Sequence, residues 1–309
     1  MIHLYNLADA NLLKPSVVTI GVFDGVHQGH RVLIERLVNE AKSADLMSVV
    51  LTFFPHPDRV LRGLTGRYYL TSPEQRAEEL GKLGVDCVVT HPFNDETRHL
   101  RAADFVNQLV ESLKMRELWV GTDFALGYKR EGNVEFLTAR GLEQGFNVTA
   151  IDLVLAENTP GAISSTTIRQ ALENGEVEQA ATWLGRPYVV RGEVVHGLAR
   201  GRTIGFPTAN IDVWAEQVIP ANGVYAGMAT LATGERYKAV TNIGVRPTFD
   251  GTGVTVEAHL LDFDGDLYGQ QLIFSFEHRL RGEQKFNGVQ ELIAQITADA
   301  QAGRVILTP

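Results

Sequence analysis

The chain has 309 residues, 44% of them hydrophobic and 21% charged, and a formal net charge of −9. Length and composition suit two globular domains with ordinary cores. The acidic balance weighs against a nucleic-acid partner, which needs clustered Lys and Arg, but it leaves room for a nucleotide held by local positive potential.

A single cysteine, Cys87, cannot form an intramolecular disulfide or a Cys-based zinc site, and reads as a small buried apolar residue. The N-terminal residues MIHLYNLADANLLKPS lack the basic start and apolar core of a signal peptide. No stretch approaches the ~20 apolar residues of a membrane span. A cytoplasmic protein without a membrane partner is the expectation.

From residue 16 to about 154, short apolar runs alternate with helical patterns. The runs are VVTIGVF (17–23), LMSVVLTF (46–53), VDCVVT (85–90), ELWVG (117–121) and FNVTAIDLV (146–154). Segments 32–44, 73–83, 102–113 and 133–144 between them carry apolar residues three and four apart. β-Branched runs alternating with amphipathic helices predict a parallel sheet covered on both faces. Segments 168–174 and 177–184 read as two short helices closing this domain. The boundary is placed near Gly185.

From Pro187 the rhythm changes to YVVRGEVV, GVYAGMATL, YKAVTNIGV, TVEAHLL and LIFSFEHRL, separated by turns such as Thr233-Gly234, Asp250-Gly251 and Asp264-Gly265-Asp266. This predicts an antiparallel barrel or sandwich. Residues 289–300 place Val289, Leu292, Ile293 and Ile296 on one face of a final helix.

The segment GVFDGVHQGHRVLIERL (21–37) runs from a buried strand through Gly21, Phe23, Asp24 and Gly25 to His27, Gly29 and His30. Ligands of open α/β sheets bind at such strand ends, and a helix N-terminus offers free N–H groups to phosphate. Two imidazoles three residues apart add donors on one side, which suits transfer of an AMP group by charge stabilisation alone. A lone His is more often a satisfied surface or core group; the pair in a Gly-rich turn favours chemistry. A zinc site is the weaker reading, since no HExxH pattern or third ligand is evident.

The second concentration is RGEVVHGLARGRTIGFPTANI (191–211), with Gly192, Gly197, Gly201 and Gly205. Spacing alone favours tight turns slightly over a phosphate loop, and this is not a Walker P-loop. Thr208 and Asn210, two apart, share one side of an extended chain and offer oxygen ligands suited to Mg²⁺; an Asx- or ST-turn is the ordinary alternative. In TVEAHLL, Val256, Ala258 and Leu260 form one face and Thr255, Glu257 and His259 the other. Glu257 is a solvated acid or a general base for an alcohol.

His27-x-Gly29-His30 after a first strand resembles the nucleotidyltransferase superfamily. GVFDGVHQGH is similar to the bacterial bifunctional riboflavin kinase/FAD synthetase family, and TFFPHP (52–57), WVGTDFALG (119–127), ISSTTIR (163–169), GFPTAN (205–210), NIGVRPT (242–248), EAHLLDF (257–263), DLYG (266–269) and LRGEQKF (280–286) continue the pattern in order. The resemblance implies a Rossmann-like FMN adenylyltransferase domain over 1–184. It implies a riboflavin kinase domain over 185–309, a six-stranded antiparallel barrel with a C-terminal helix. Riboflavin and ATP would give FMN, and FMN and ATP would give FAD and pyrophosphate. Gly21, Phe23, Asp24, Gly25, His27, Gly29, His30, Asp123, Ser164, Ser165 and Arg169 would hold the first ATP. By itself, Ser165-Thr166 is a good helix cap and Arg169 an ordinary helix Arg as readily as a phosphate ligand. Gly197, Gly201, Gly205, Pro207, Thr208 and Asn210 would bind the kinase nucleotide, with Thr208 and Asn210 on Mg²⁺ and Glu257 as base. His56, Arg281, Glu283 and Phe286 would lie near the flavin. Two positions depart from the pattern: Phe54 replaces a usual acid before PHP, and Leu126 a usual Phe. They keep two rivals open, a kinase with a degenerate N-terminal domain and a non-catalytic flavin carrier. Another nucleotidyltransferase would explain the histidines but not the second half.

Overall fold

The structure is a computed structural model and describes residues 1–151, 163–197, 200–248 and 251–307. It divides into two compact units, Met1–Thr65 with Thr71–Ser164, and Gly66–Leu70 with Ser165–Pro309.

The first unit is built on strands β1 (Ile2–Leu4), β2 (Ser16–Ile20), β3 (Met47–Phe54), β4 (Cys87–Pro92), β5 (Met115–Gly121) and β8 (Asn147–Ile151), with a two-residue pair β6 (Ala125–Leu126) and β7 (Gly132–Asn133) beside them. The main sheet runs β1-β4-β3-β2-β5-β8, all parallel. Helices α1 (Gln28–Ser43), α2 (Pro57–Arg62), α3 (Pro73–Lys82), α4 (Asp95–His99), α5 (Ala102–Leu113) and α6 (Val134–Gln144) follow the strands. Successive strand residues face opposite ways. Thus Val18, Ile20, Val49, Leu51, Cys87 and Val89 pack into one core with Phe105, Leu109 and Leu137 of α5 and α6. Their neighbours Val50 and Val88 join Ile34, Val38, Ala77 and Leu80 of α1 and α3, and Val17 packs on Leu37 and Ala41. Burial on both faces explains why the strands read as continuous apolar runs rather than alternating ones. From β2 the chain steps outward to β3 and β4, then returns to β5 on the other side of β2. The C-terminal ends of strands at such a reversal are the usual ligand position in open α/β sheets, and here that position is the end of β2.

The second unit is a closed antiparallel barrel, β10-β13-β12-β11-β14-β9. Its strands are β9 (Tyr188–Val195), β10 (Ala209–Val213), β11 (Gly223–Leu231), β12 (Arg236–Thr248), β13 (Gly251–Leu260) and β14 (Gln271–Arg281). Val190, Ile211, Tyr225, Ile243, Val256, Ala258, Phe274 and Phe276 fill it. Helix α10 (Val289–Ile306) covers Val224, Val240 and Leu261 from outside, so parts of β11 and β12 are buried on both sides. Helices α7 (Ser165–Asn174) and α8 (Val177–Leu184) belong to this unit: Arg279 of β14 donates to the Asn174 carbonyl at 2.8 Å, and its backbone N–H to Glu178 at 3.1 Å. A short helix α9 (Arg200–Thr203) lies in the Gly-rich segment.

A strap of the N-terminal chain also belongs to the barrel unit. Residues 66–70 pair with the segment after β10: Tyr69 bridges Gln217, Tyr69 stacks on Trp214 at 5.1 Å, and Arg67 donates to the carbonyls of Trp214 and Gln217 at 3.1 and 2.7 Å.

The predicted α/β-plus-barrel architecture is what the chain adopts. Several elements were not anticipated: β1, only three residues long; the short helices α2, α4 and α9; the β6–β7 pair; and β10, hidden inside the Gly-rich segment; the last helix also extends past residue 300 to Ile306. The end of the predicted run 146–154 and Asp250 of the Asp250-Gly251 turn lie outside the described residues.

At Gly227, where the β11–β14 register shifts, a Cβ would run into the Ser275 carbonyl. Gly227→Ala therefore forces two paired strands apart, and is expected to lower unfolding free energy by ~1–3 kcal/mol, measured by chemical denaturation.

Candidate active sites

The first site begins where β2 ends. All five β2 residues are buried, so the chain emerges at a fixed point and turns through Phe23 (φ 51°), Gly25 (φ 79°) and Val26 (φ 43°). Left-handed φ is natural for Gly25 but uncommon for Phe23 and Val26. The turn is held from beneath. Asp24, 1% exposed, accepts from the Thr71 backbone N–H at 3.1 Å and the Thr71 hydroxyl at 3.2 Å. The Gly25 N–H donates to the Thr71 oxygen at 3.1 Å, and the Thr52 hydroxyl to the Val22 carbonyl at 2.7 Å.

The turn delivers His27 as the N-cap of α1. Its Nδ1 accepts the His30 backbone N–H at 3.4 Å, which in the neutral ring leaves the proton on Nε2. The two imidazoles stack with centroids 3.6 Å apart, and the edge of Phe23 closes on His30 at 5.1 Å. His30 Nδ1 is buried without a hydrogen-bond partner among the described residues. Burial pushes the His27 pKa down to about 4, against a smaller opposing pull from Asp24. Burial, then the proximity of His27 and Arg76, holds His30 well below its ordinary value. Both rings are therefore neutral at physiological pH. They act as N–H donors at the positive end of a 16-residue helix, and an anion is the ligand such a place favours. Gly21 and Gly29 lie against the rings of Phe23 and His27.

Other predicted residues of this site are placed as follows. Asp123 is exposed in the turn after β5, where its carbonyl accepts from Arg130 at 2.9 Å. His56 N-caps α2, accepting the Asp58 N–H at 3.0 Å. Ser164 ends the first unit and Ser165 opens α7 in the second. Arg169, 9% exposed, donates to the Tyr68 carbonyl at 2.6 Å and lies over the Tyr68 ring at 4.1 Å, all within the second unit. Of the two departures, Leu126 is 7% exposed and fills the core beside α5, while Phe54 ends β3. Sequence reading missed Thr71 and Arg76. Arg76 is fully buried on α3, on the apolar face with Ala77 and Leu80. An Arg on such a face was the signal that could have found it.

The second site is on the outside of the barrel. Ala209, Ile211, Val256, Ala258 and Leu260 point inward, so Thr208, Asn210, Glu257 and His259 share the outer surface. Strand register sets Glu257 directly beside Asn210 of β10 on one side and Asn242 of β12 on the other. Gly197 packs against the Asn210 amide, where a Cβ would not fit. Gly201 packs against the Phe206 carbonyl, and Gly205 has φ 89°. His259 bonds the Pro207 carbonyl at 2.8 Å, fixing the turn that carries Thr208. A cavity of about 470 Å³ is lined by Pro207 and Thr208 together with Arg202, Asp264 and Tyr268 and by inward-facing Ala258 and Leu260, but not by Asn210, Asn242 or Glu257. Glu283 accepts from Asn222 at 3.3 Å and, like Asn242, adjoins Gly244. Arg281 is committed elsewhere: its guanidinium contacts Asp299 of α10 at 2.8–3.1 Å, with the Phe286 ring at 5.9 Å. Asn242 was quoted in a motif without a role; its register partnership with Glu257 needed the strand pairing to be seen.

A parallel α/β unit with stacked histidines at a helix N-terminus, followed by a six-stranded barrel with an acid flanked by two amides, defines a two-site enzyme of nucleotide chemistry. Comparison gives the particular family. A family model described as FAD synthetase matches residues 9–167, and one described as riboflavin kinase matches 184–307. The chain is 40% identical to the bifunctional riboflavin kinase/FMN adenylyltransferase of Listeria monocytogenes over 93% of its length and 91% of the relative's. It is 39% identical to the Escherichia coli K12 protein of the same name, over 97% and 95%. A solved structure described as a macrolide-efflux protein from Streptococcus pneumoniae superimposes with TM-score 0.86 at 32% identity, covering 98% of both chains. Among the described residues no helix is long and apolar enough to cross a membrane. The chain belongs to the bifunctional riboflavin kinase/FMN adenylyltransferase family.

The depressed His27 pKa makes stability pH-dependent. The folded value, about 4, lies below the unfolded 6.5. The unfolded chain therefore takes up the proton first as pH falls. The contribution is complete above pH 6.5 and lost on descent through the folded pKa, about 3 kcal/mol in all. Denaturation midpoints should fall between pH 7 and pH 4.5. His27→Asn, which retains a capping oxygen, should flatten that slope.

Proposed function

We propose that the two activities of this family are divided between the two sites, adenylyl transfer at His27–His30 and riboflavin phosphorylation at Glu257. In the first reaction a phosphate oxygen of FMN attacks the α-phosphorus of ATP, forming the phosphoanhydride of FAD as the bond to pyrophosphate breaks. No proton needs to move, so what the protein supplies is position and charge stabilisation. The observation that carries this assignment is the pair of neutral, stacked imidazoles at the start of α1, with His27 holding its proton on Nε2. Gly21, Gly25 and Gly29 let the phosphates approach the backbone. Asp123, Ser164, Ser165 and Arg169 are proposed for the same ATP on family resemblance; for Arg169 this requires release from Tyr68.

In the second reaction the primary hydroxyl of the ribityl chain attacks the γ-phosphorus of ATP. An oxygen–phosphorus bond forms, the bond to ADP breaks, and Glu257 takes the hydroxyl proton. The register Asn210–Glu257–Asn242 supports this role, since it sets two amides beside the acid. Thr208 and Asn210 offer oxygen donors on one face, the chemistry Mg²⁺ requires, and a bound Mg²⁺ would neutralise charge on the transferred phosphoryl group. Glu283, Phe286 and His56 are proposed near flavin, and Arg281 as the support that fixes Phe286. The functional boundary is proposed near Gly185, and a cytoplasmic location follows from the use of ATP.

Product chromatography with riboflavin, excess ATP and Mg²⁺ separates the assignments. Glu257→Gln should lose FMN formation by ~10²-fold or more, while still quenching riboflavin fluorescence on binding and still converting supplied FMN to FAD. His30→Asn should do the reverse, accumulating FMN. Unchanged FMN turnover in Glu257→Gln would remove the general base; unchanged FAD synthesis in both His27→Asn and His30→Asn would remove the imidazoles.

A further inference from the structure

Beneath the histidine turn lies a charge that neither reaction step uses. Arg76 of α3 is 0% exposed. A buried arginine is costly unless its donors are well spent, and the partners of this one converge on the turn. Its Nη1 donates to the Thr52 hydroxyl at 2.9 Å and to the Phe53 carbonyl at 3.3 Å. Its Nη2 lies 3.9 Å from Asp24 Oδ1, with both side chains fully buried. Thr52 in turn donates to the Val22 carbonyl, and Asp24 is the acceptor for Thr71. One planar guanidinium thus links the end of β3 to both flanks of Phe23, the residue whose ring edge meets His30.

We propose that Arg76 is a positioning residue for adenylyl transfer, whose Nη1 hydrogen bonds to Thr52 and Phe53 and whose charge beside Asp24 hold the left-handed turn that presents His27 and His30 to the nucleotide. Lysine is a poor replacement, because in the guanidinium one nitrogen serves Thr52 and Phe53 while a second stands beside Asp24, and a single ammonium cannot occupy both places. Its charge has a second effect. The groups acting on the stacked pair are Asp24, which raises the proton affinity of His27, and Arg76 and His27, which both lower that of His30. Removing the Arg76 charge therefore lets His30 protonate at higher pH. This proposal rests on the assignment of His27 and His30 to adenylyl transfer.

The test uses the full chain with supplied FMN and ATP, comparing Arg76→Lys and Arg76→Met with the parent for kcat, KM and the pH profile of FAD synthesis. Both variants should lose kcat at least tenfold, with KM for ATP within about threefold, because displaced imidazoles cost the transition state more than the ground state. Arg76→Met should also move the acid limb of the profile upward, and Arg76→Lys, which keeps the charge, should leave it in place. Parent-like kcat in a folded Arg76→Lys overturns the proposal. So does a loss that tracks only the fraction of unfolded protein, with the acid limb of the residual activity unmoved in both variants. If His27→Asn and His30→Asn are fully active, the site assignment fails and the proposal with it; active histidine variants and inactive Arg76 variants separate the two failures.

Discussion

The left-handed turn from Phe23 to Val26 is the constraint that sets where His27 and His30 stand at the start of α1. Non-glycine residues at positive φ cost roughly 1–3 kcal/mol each and persist only where surrounding contacts over-determine them. Here Asp24, Thr71, Thr52 and Arg76 supply those contacts from β3, α3 and the segment before it. The return is geometric. The turn ends with a histidine at a helix cap instead of the usual Ser, Thr, Asp or Asn, so one ring satisfies a backbone N–H through Nδ1 and keeps its proton on Nε2. Because burial keeps the rings neutral, the positive potential around them comes from the helix terminus and from Arg76 and not from the imidazoles themselves.

The barrel solves a different problem by a different device. The side chains proposed for its chemistry are on the outside of strands whose inward residues are apolar, so register, not a strained turn, sets their spacing. Glu257 is central because β13 lies between β10 and β12. The glycines of the preceding segment serve close approach: Gly197 against Asn210 and Gly201 against the Phe206 carbonyl.

Much of this was legible in the chain. Parallel strands buried on both faces announce themselves as continuous apolar runs, and β9 and β11 coincide with their predicted segments to the residue. What was hidden depended on partners distant in sequence. β1 has three residues and gains its identity only from β4. β10 carries polar Asn210 and Asp212 on its outer face inside a glycine-rich stretch, so turn chemistry outweighed alternation. Arg76 drew no reading of its own from the sequence, since its partners Asp24, 52 residues earlier, and Thr52 are distant in the chain. The grip of Arg281 on Asp299, and of Arg169 on Tyr68, is likewise tertiary information.

The strap at 66–70 has a consequence for the order in which the chain becomes whole. Gln217 closes on the Leu70 carbonyl across 147 residues of sequence. On the ribosome these five residues emerge long before the strands they join, and contacts of such separation form late. The barrel unit therefore completes only after both halves have been synthesised in one piece. Severing the chain at Gly185 would leave its C-terminal fragment without the strap, α7 and α8. Two activities that look separable by motif therefore do not separate at a single cut in the chain: five residues belong to one unit by sequence neighbourhood and to the other by packing.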